Sequence, residues 1–221
     1  MKTKPEGMLL VWTDADPAAE EDFNAWYDAE HLPERVGIPG FLTGRRYRAQ
    51  AGNPRYFAAY HTENTGVLFS QAYLHLVNNP TPWTQRIMPK FQNTVRSVCS
   101  IVRAEGQPFL ERQNTALTLR FNPAPGKEAA LREAVSALVT PSPGVARISL
   151  CEAAKGDQGT GETALRGPDE VAGFALLLEG AEAAPLEAAA QASFPPEKLI
   201  AMGAEGEILR GTYGLLLAMD A

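Results

Sequence analysis

PGFLTGRRYRA, residues 39–49, and PGVARISLCEA, residues 143–153, decide how the chain is read. Each opens on a Pro-Gly pair, continues as a strand-like run, and follows a stretch with helical spacing. Before the first lie a strand-like GMLLVWT (7–13) and a helical stretch from Pro17 to Leu32. Before the second lie ALTLRF (116–121) and GKEAALREAVSAL (126–138), where Ala130, Leu131, Ala134, Val135 and Leu138 recur at three and four residues. After the first come RYFAAYHT (55–62), joined through the turn Ala51-Gly52-Asn53-Pro54, a helical region over 65–78, a Pro-broken segment (80–89) and a long strand over 92–105. After the second come VAGFALLLEG (171–180), the helix APLEAAAQASF (184–194) and EILRGTYGLLLAM (207–219).

The order β-α-β-β-α-β thus occurs twice. The reading is an α+β protein of two tandem ferredoxin-like repeats, residues 1–105 and 115–221, joined by a linker at 106–114. Two helices cover one face of each four-stranded sheet and leave the other bare. A tandem pair buries both bare faces by packing sheet on sheet or by curling into one intrachain, pseudo-dimeric α+β barrel. Loop 154–169, with four Gly, reads as the most flexible stretch.

Composition sets limits. The 221 residues are 45% hydrophobic and 21% charged, with a net charge of -6, which fits a folded domain and argues against nucleic acid as a partner. No apolar run approaches the ~18 residues of a membrane span. The N-terminal MKTKPEGMLLVWTD has no small-residue cleavage site and does not read as a signal peptide. Cys99 and Cys151 do not make a disulfide framework, so a cytoplasmic location is expected. Phosphate-loop, nucleophile-elbow and metal-ligand spacings are absent, and neither a metal nor another cofactor is expected.

The halves are chemically unequal. All three His, all three Trp and 14 of the 18 aromatics lie before residue 110, which places any chemistry in the first repeat. The densest stretch is DFNAWYDAEHLPER (22–35). On a helix, Phe23, Trp26, Tyr27, Glu30 and Glu34 share a stripe about 120° wide with His31 at its edge. Pro33 is expected to stop or kink the helix near Leu32, leaving His31 in the last turn, where the dipole favours the imidazolium. A histidine beside the carboxylate of Glu30 is a candidate acid or base. The plainer alternative is a core of Trp26 and Tyr27, a Glu30–Arg35 salt bridge and an exposed His31. On 39–49, alternation sends Arg45 and Tyr47 to one face and Arg46 and Arg48 to the other. Arg45 beside Tyr47 could hold an oxyanion, whereas Arg46 and Arg48 read as an exposed basic strand. His61, closing the next strand, is a further candidate.

The run Phe23-x-x-Trp26-Tyr27-x-x-Glu30-His31-Leu32-Pro33-Glu34-Arg35, followed by Pro39-Gly40-Phe41 and Arg45-Arg46-Tyr47, resembles the EthD-like branch of the dimeric α+β-barrel superfamily. The resemblance implies a pocket between sheet and helices with His31 near its mouth. The second repeat lacks the motif, since its helix Lys127–Leu138 has neither His nor Trp. Haem, used by some members, needs an axial ligand that this half lacks.

The functional expectation is a cofactor-independent enzyme that moves a proton on a small aromatic or polyketide-like molecule: an isomerase, a dehydratase/cyclase or a lyase. His31 and Glu30 are the expected catalytic pair, with Arg45, Tyr47, Tyr27, Trp26 and His61 binding the substrate. This needs His31 within one water of Arg45, Tyr47 or His61, on a cavity of roughly a few hundred Å3. The alternative is a non-catalytic small-ligand-binding or structural protein. A homodimer formed through outer sheet edges is compatible with either.

Overall fold

The Pro-Gly pairs act through backbone geometry. Gly40 has φ 92° and Gly144 φ 76°, in the left-handed region that side chains other than glycine rarely adopt. A Cβ at Gly40 would lie 2.6 Å from Val67 Cγ2, and one at Gly144 2.4 Å from Pro185 Cβ. Each pair therefore turns the chain sharply from helix into strand.

The computed structural model describes residues 4–108, 113–154 and 160–221. Residues 109–112 of the expected linker and 155–159 of the expected flexible loop lie outside the described residues. In chain order the elements are β1 (Gly7–Ala15), α1 (Glu20–Trp26), a π-helical turn (Tyr27–His31), α2 (Leu32–Val36), β2 (Phe41–Ala51), β3 (Tyr56–Thr62), α3 (Gln71–Asn78), α4 (Pro82–Ile87) and β4 (Phe91–Gly106). There follow β5 (Thr115–Pro123), α5 (Glu128–Leu138), β6 (Arg147–Ala153), α6 (Gly161–Arg166), β7 (Phe174–Gly180), α7 (Ala183–Ser193), α8 (Pro196–Ala201) and β8 (Ala204–Asp220). Three short helices arise where none was expected. Thr81 caps α4 by accepting from Thr84 N, Thr160 caps α6 by accepting from Thr163 N, and α8 starts at Pro196.

All eight strands pair antiparallel in one closed barrel, in the order β1-β3-β2-β8-β5-β7-β6-β4. Of the two packings open to the sequence, the chain takes the curled one. The seams between its halves are β2–β8, where Arg46 faces Leu217, and β4–β6, where Ser100 faces Glu152. Among the described residues closure leaves no strand of the barrel without a neighbour on either side.

Strand alternation splits the core into three. Met8, Leu10, Trp12, Tyr47, Phe57, Cys99, Cys151 and Tyr213 fill the barrel interior. Leu9, Val11, Tyr60 and Val98, on the outer face of the first half, meet Phe23, Trp26 and Tyr27 of the helical layer. Leu117, Leu119, Leu150 and Leu176 meet Leu131, Val135 and Leu186 on the other side. Among the described residues no helix is long and apolar enough to cross a membrane.

Candidate functional site

Pro33 shapes the site without ending its helix. It offers no amide hydrogen, and the turn before it widens to compensate: Leu32 N–H donates to Tyr27 O across Tyr27–His31. The helix then runs on to Val36, so the expected stop at Leu32 does not occur. His31 is accordingly not at a helix C-terminus, and the expected stabilisation of its imidazolium is reversed. Burial, followed by the charges of Arg35, Arg166 and Arg46, holds His31 well below its ordinary 6.5, and the ring is neutral near pH 7. It is only 8% exposed, packed against Trp26 at 4.3 Å and Tyr27 at 4.8 Å between ring centroids. Its Nδ1 is buried without a hydrogen-bond partner.

A cleft of about 30 Å3 opens beside this ring. Its apolar wall is Leu9, Val11, Met88 and Phe91, and its polar wall is Tyr27, Tyr60, Tyr73, Arg35, Arg96, Arg166 and Glu162. Tyr60 donates to the Tyr27 hydroxyl at 3.2 Å, and burial raises both phenols, which stay protonated. Arg96 Nη2 donates to the Tyr73 hydroxyl at 3.0 Å. Arg166 forms a bidentate pair with Asp169 at 2.8 and 2.6 Å and lies over Phe91. Arg35 is 1% exposed and is hydrogen-bonded to Glu162. The cleft is thus aromatic, lined by guanidiniums of which Arg35 and Arg166 are ion-paired, and set around a neutral imidazole.

The residues picked from sequence separate into two compartments. Tyr27 and His31 line the cleft, and Trp26 backs it. Glu30 faces away: its Oε1 accepts from Trp26 Nε1 at 3.1 Å, Thr81 Oγ1 at 2.6 Å and Thr84 Oγ1 at 3.0 Å. It positions Trp26, and no hydrogen bond links it to His31 or ion pair to Arg35 among the described residues. Arg45, Tyr47 and His61 point into the barrel, across the sheet from His31. There Arg45 donates to Gln113 O at 3.2 Å, His61 Nδ1 meets Thr43 Oγ1 at 3.1 Å, and Tyr47 lies beside Glu179 and Arg45. Burial, then Arg147 and Arg45, lower His61 to about 3. The three do not meet His31, and the cleft falls far short of a few hundred Å3.

Arg46 also departs from its expected exposure. It is 1% exposed, stacked over Phe23, Tyr27 and Tyr56 at 4.5–5.3 Å, and donates to Asp28 Oδ1 at 3.0 Å and Asn24 Oδ1 at 2.5 Å. It clamps α1 to the sheet, while Arg48 is exposed.

Site residues missed in the sequence include Arg96 and Tyr60, both visible in principle as the outward partners of Val98 and Ala58 on their strands. Glu162 and Arg166 come from the half expected to be scaffold. The segment carrying them crosses over: Arg96 N donates to Glu170 O at 2.9 Å, and Gly161 N to Asn78 Oδ1 at 2.7 Å. No spacing within 154–169 announces that crossing.

No protein-family model matches the chain, and no curated protein matches its sequence. Solved structures do. An anthrone oxidase-like protein aligns with a TM-score of 0.63 at 11% identity, over 98% of this chain and 93% of its own. A monooxygenase-like protein of Fusobacterium nucleatum gives 0.62 at 10% identity, over 98% and 95%. A haem-binding protein of Thermus thermophilus gives 0.51 at 11% identity, over 95% and 91%.

The residues here do not fit haem. An axial ligand with room for a macrocycle is required. His31 faces a cleft of about 30 Å3, His61 is 1% exposed inside the barrel, and His75 stands exposed on α3. Beneath α5 and α7, Leu131, Val135 and Leu186 pack on Leu117, Leu119, Leu150 and Leu176. What the comparisons establish is the architecture: the chain shares its fold with these structures, here an eight-stranded antiparallel barrel closed within a single chain.

Proposed function

We propose that the protein is a cofactor-independent enzyme that moves a proton on a small aromatic or polyketide-like molecule, with His31 as the proton-accepting group. The observation that carries this reading is a neutral, nine-tenths-buried histidine with an unpartnered Nδ1 in an aromatic cleft ringed by Arg35, Arg96 and Arg166. Burial, with the charges of Arg35 and Arg166, holds His31 neutral, and the guanidiniums around the cleft lower the energy of an enolate or phenolate formed beside it. His31 takes a proton from an acidic C–H or O–H, the oxygen gains charge near Arg96, and the protonated Tyr27–Tyr60 pair supplies a donor. Returning the proton elsewhere on the ligand gives isomerisation, and expelling a leaving group gives dehydration or lyase chemistry. The name of one similar structure, an anthrone oxidase-like protein, agrees with an aromatic substrate.

Glu30 enters this reading as a positioning residue that holds Trp26 against His31. Arg45, Tyr47 and His61, placed in the barrel, have no step in it; the oxyanion role expected of them passes in this reading to Arg96 and the Tyr27–Tyr60 pair beside His31. The EthD-like resemblance of residues 23–47 and the reading of 1–105 and 115–221 as tandem copies are part of the same proposal, supported by the strand order each half contributes. So is a reducing, cytoplasmic setting, which suits two buried free thiols.

Mass spectrometry of a metabolite extract rich in aromatic acids and ketides, incubated with wild type and with His31→Gln, tests the proposal. Wild type should deplete a compound about 10²–10⁴-fold faster than the variant, the range for loss of a general base. Equal depletion by the two would remove His31 from the chemistry. Two observations favour a non-catalytic binder as the second reading: the cleft is small, and Arg35 is already neutralised within the chain. A compound that co-purifies stoichiometrically and is never turned over would establish it.

A further inference from the structure

We infer that Arg35 is the receptor for a carboxylate on the ligand and that Glu162 keeps its place in the ligand-free protein. The inference rests on the His31 cleft being the ligand site, and it narrows the ligand to a small aromatic acid.

The argument begins with what α6 buries. A six-residue surface helix ordinarily docks through an apolar side chain. Here Leu165 is 37% exposed, and the one residue that α6 buries is Glu162, at 7% exposure. Its carboxylate reaches 127 residues along the chain to Arg35 Nη2. The remaining anchors of the segment are polar: Gly161 N on Asn78 Oδ1, and Arg166 against Met88 Sδ at 3.4 Å and over Phe91. The helix is therefore docked by an ion pair, and such a contact can be exchanged for another carboxylate of equal charge and shape.

Arg35 is suited to the exchange. It is 1% exposed, lies over the Tyr73 ring at 5.9 Å, and its Nη1 makes no hydrogen bond; Glu34 Oε2 approaches only to 3.7 Å. A planar carboxylate matches the guanidinium fork, with Glu162 filling one prong. Tyr27, Tyr60 and Phe91 supply aromatic faces beside it. Release of Glu162 also frees the space that α6 occupies, which reconciles a cleft of about 30 Å3 with a ligand the size of a substituted ring.

Calorimetric titration with benzoate and its neutral counterpart benzamide tests this on wild type, Glu162→Gln and Arg35→Gln. Glu162→Gln should bind benzoate at least tenfold more tightly than wild type, with a smaller gain for benzamide, and Arg35→Gln should lose the preference for benzoate. Should Arg35→Gln fail to fold, amide exchange over 160–170 in wild type replaces it, and benzoate, but not benzamide, should speed exchange there. Benzoate affinity that Glu162→Gln leaves unchanged would overturn the inference. If benzamide still binds and His31→Gln still abolishes turnover in that case, the cleft stands as the active site and only the carboxylate assignment falls. If neither probe binds any form and His31→Gln turns over normally, the inference and the proposed function fall together.

Discussion

His31 and His61 both sit as neutral rings in the fold, one in the cleft and one in the barrel, and both penalise acid. Each binds a proton in the unfolded chain below 6.5, while the folded protein holds His61 unprotonated down to about 3 and His31 to well below its ordinary value. The unfolded state therefore takes up more protons as pH falls through 6.5, and stability drops with it. Urea unfolding at pH 7 and pH 5 should register a loss of about 2 kcal/mol from His61, with a further loss in the same direction from His31. His61→Asn should flatten that dependence by about one histidine's share, and an unaltered slope would place His61 in contact with water. At this scale the sequence was readable for which residues share a face and misleading about which face matters. Alternation correctly paired Arg45 with Tyr47 and set Arg46 apart. Both faces of a barrel strand are buried, however, one by the barrel and one by helices, so the inward-facing pair carried no mark of being on the wrong side of the sheet from His31. Tyr60 and His61 were divided in the same way.

Among the elements, the two Pro-Gly turns were the most legible, because their requirement is local. Gly40→Ala and Gly144→Ala each force a side chain into the left-handed region and against Val67 or Pro185, and each should lower the unfolding free energy by about 1–3 kcal/mol in thermal denaturation. A change within a few tenths of a kcal/mol would mean that the turns relax freely. The π-helical turn was not legible. Pro33 signals an interruption, but whether a helix breaks, kinks or widens depends on what its flanks pack against. Here Phe23 and Trp26 upstream and Leu32 and Val36 downstream are all buried, and widening by one residue keeps both flanks seated. Helix α6 was invisible for a different reason. Its anchors, Arg35 and Asn78, lie far away in sequence, and its own residues show no apolar periodicity.

For the whole molecule, the repeated element order pointed to two sheets with bare faces, and the closed barrel is one of the two ways to cover them. The sequence did not choose, since the choice depends on the seams β2–β8 and β4–β6 rather than on either half. Closure has a consequence for the two cysteines within it. Cys99 and Cys151 are fully buried, Cys151 Sγ lies 3.8 Å from Met8 Sδ, and burial pushes the Cys151 thiol up to about 12 and that of Cys99 well above its ordinary value. A thiol reagent must wait for strands to part before it meets either sulfur. Alkylation in native buffer should run at least about a thousandfold slower than in denaturant. Both sites should also react in step, because the β4–β6 seam that hides one hides the other. The pair is a built-in clock for barrel opening, and it records by mass how often this β-sheet comes undone.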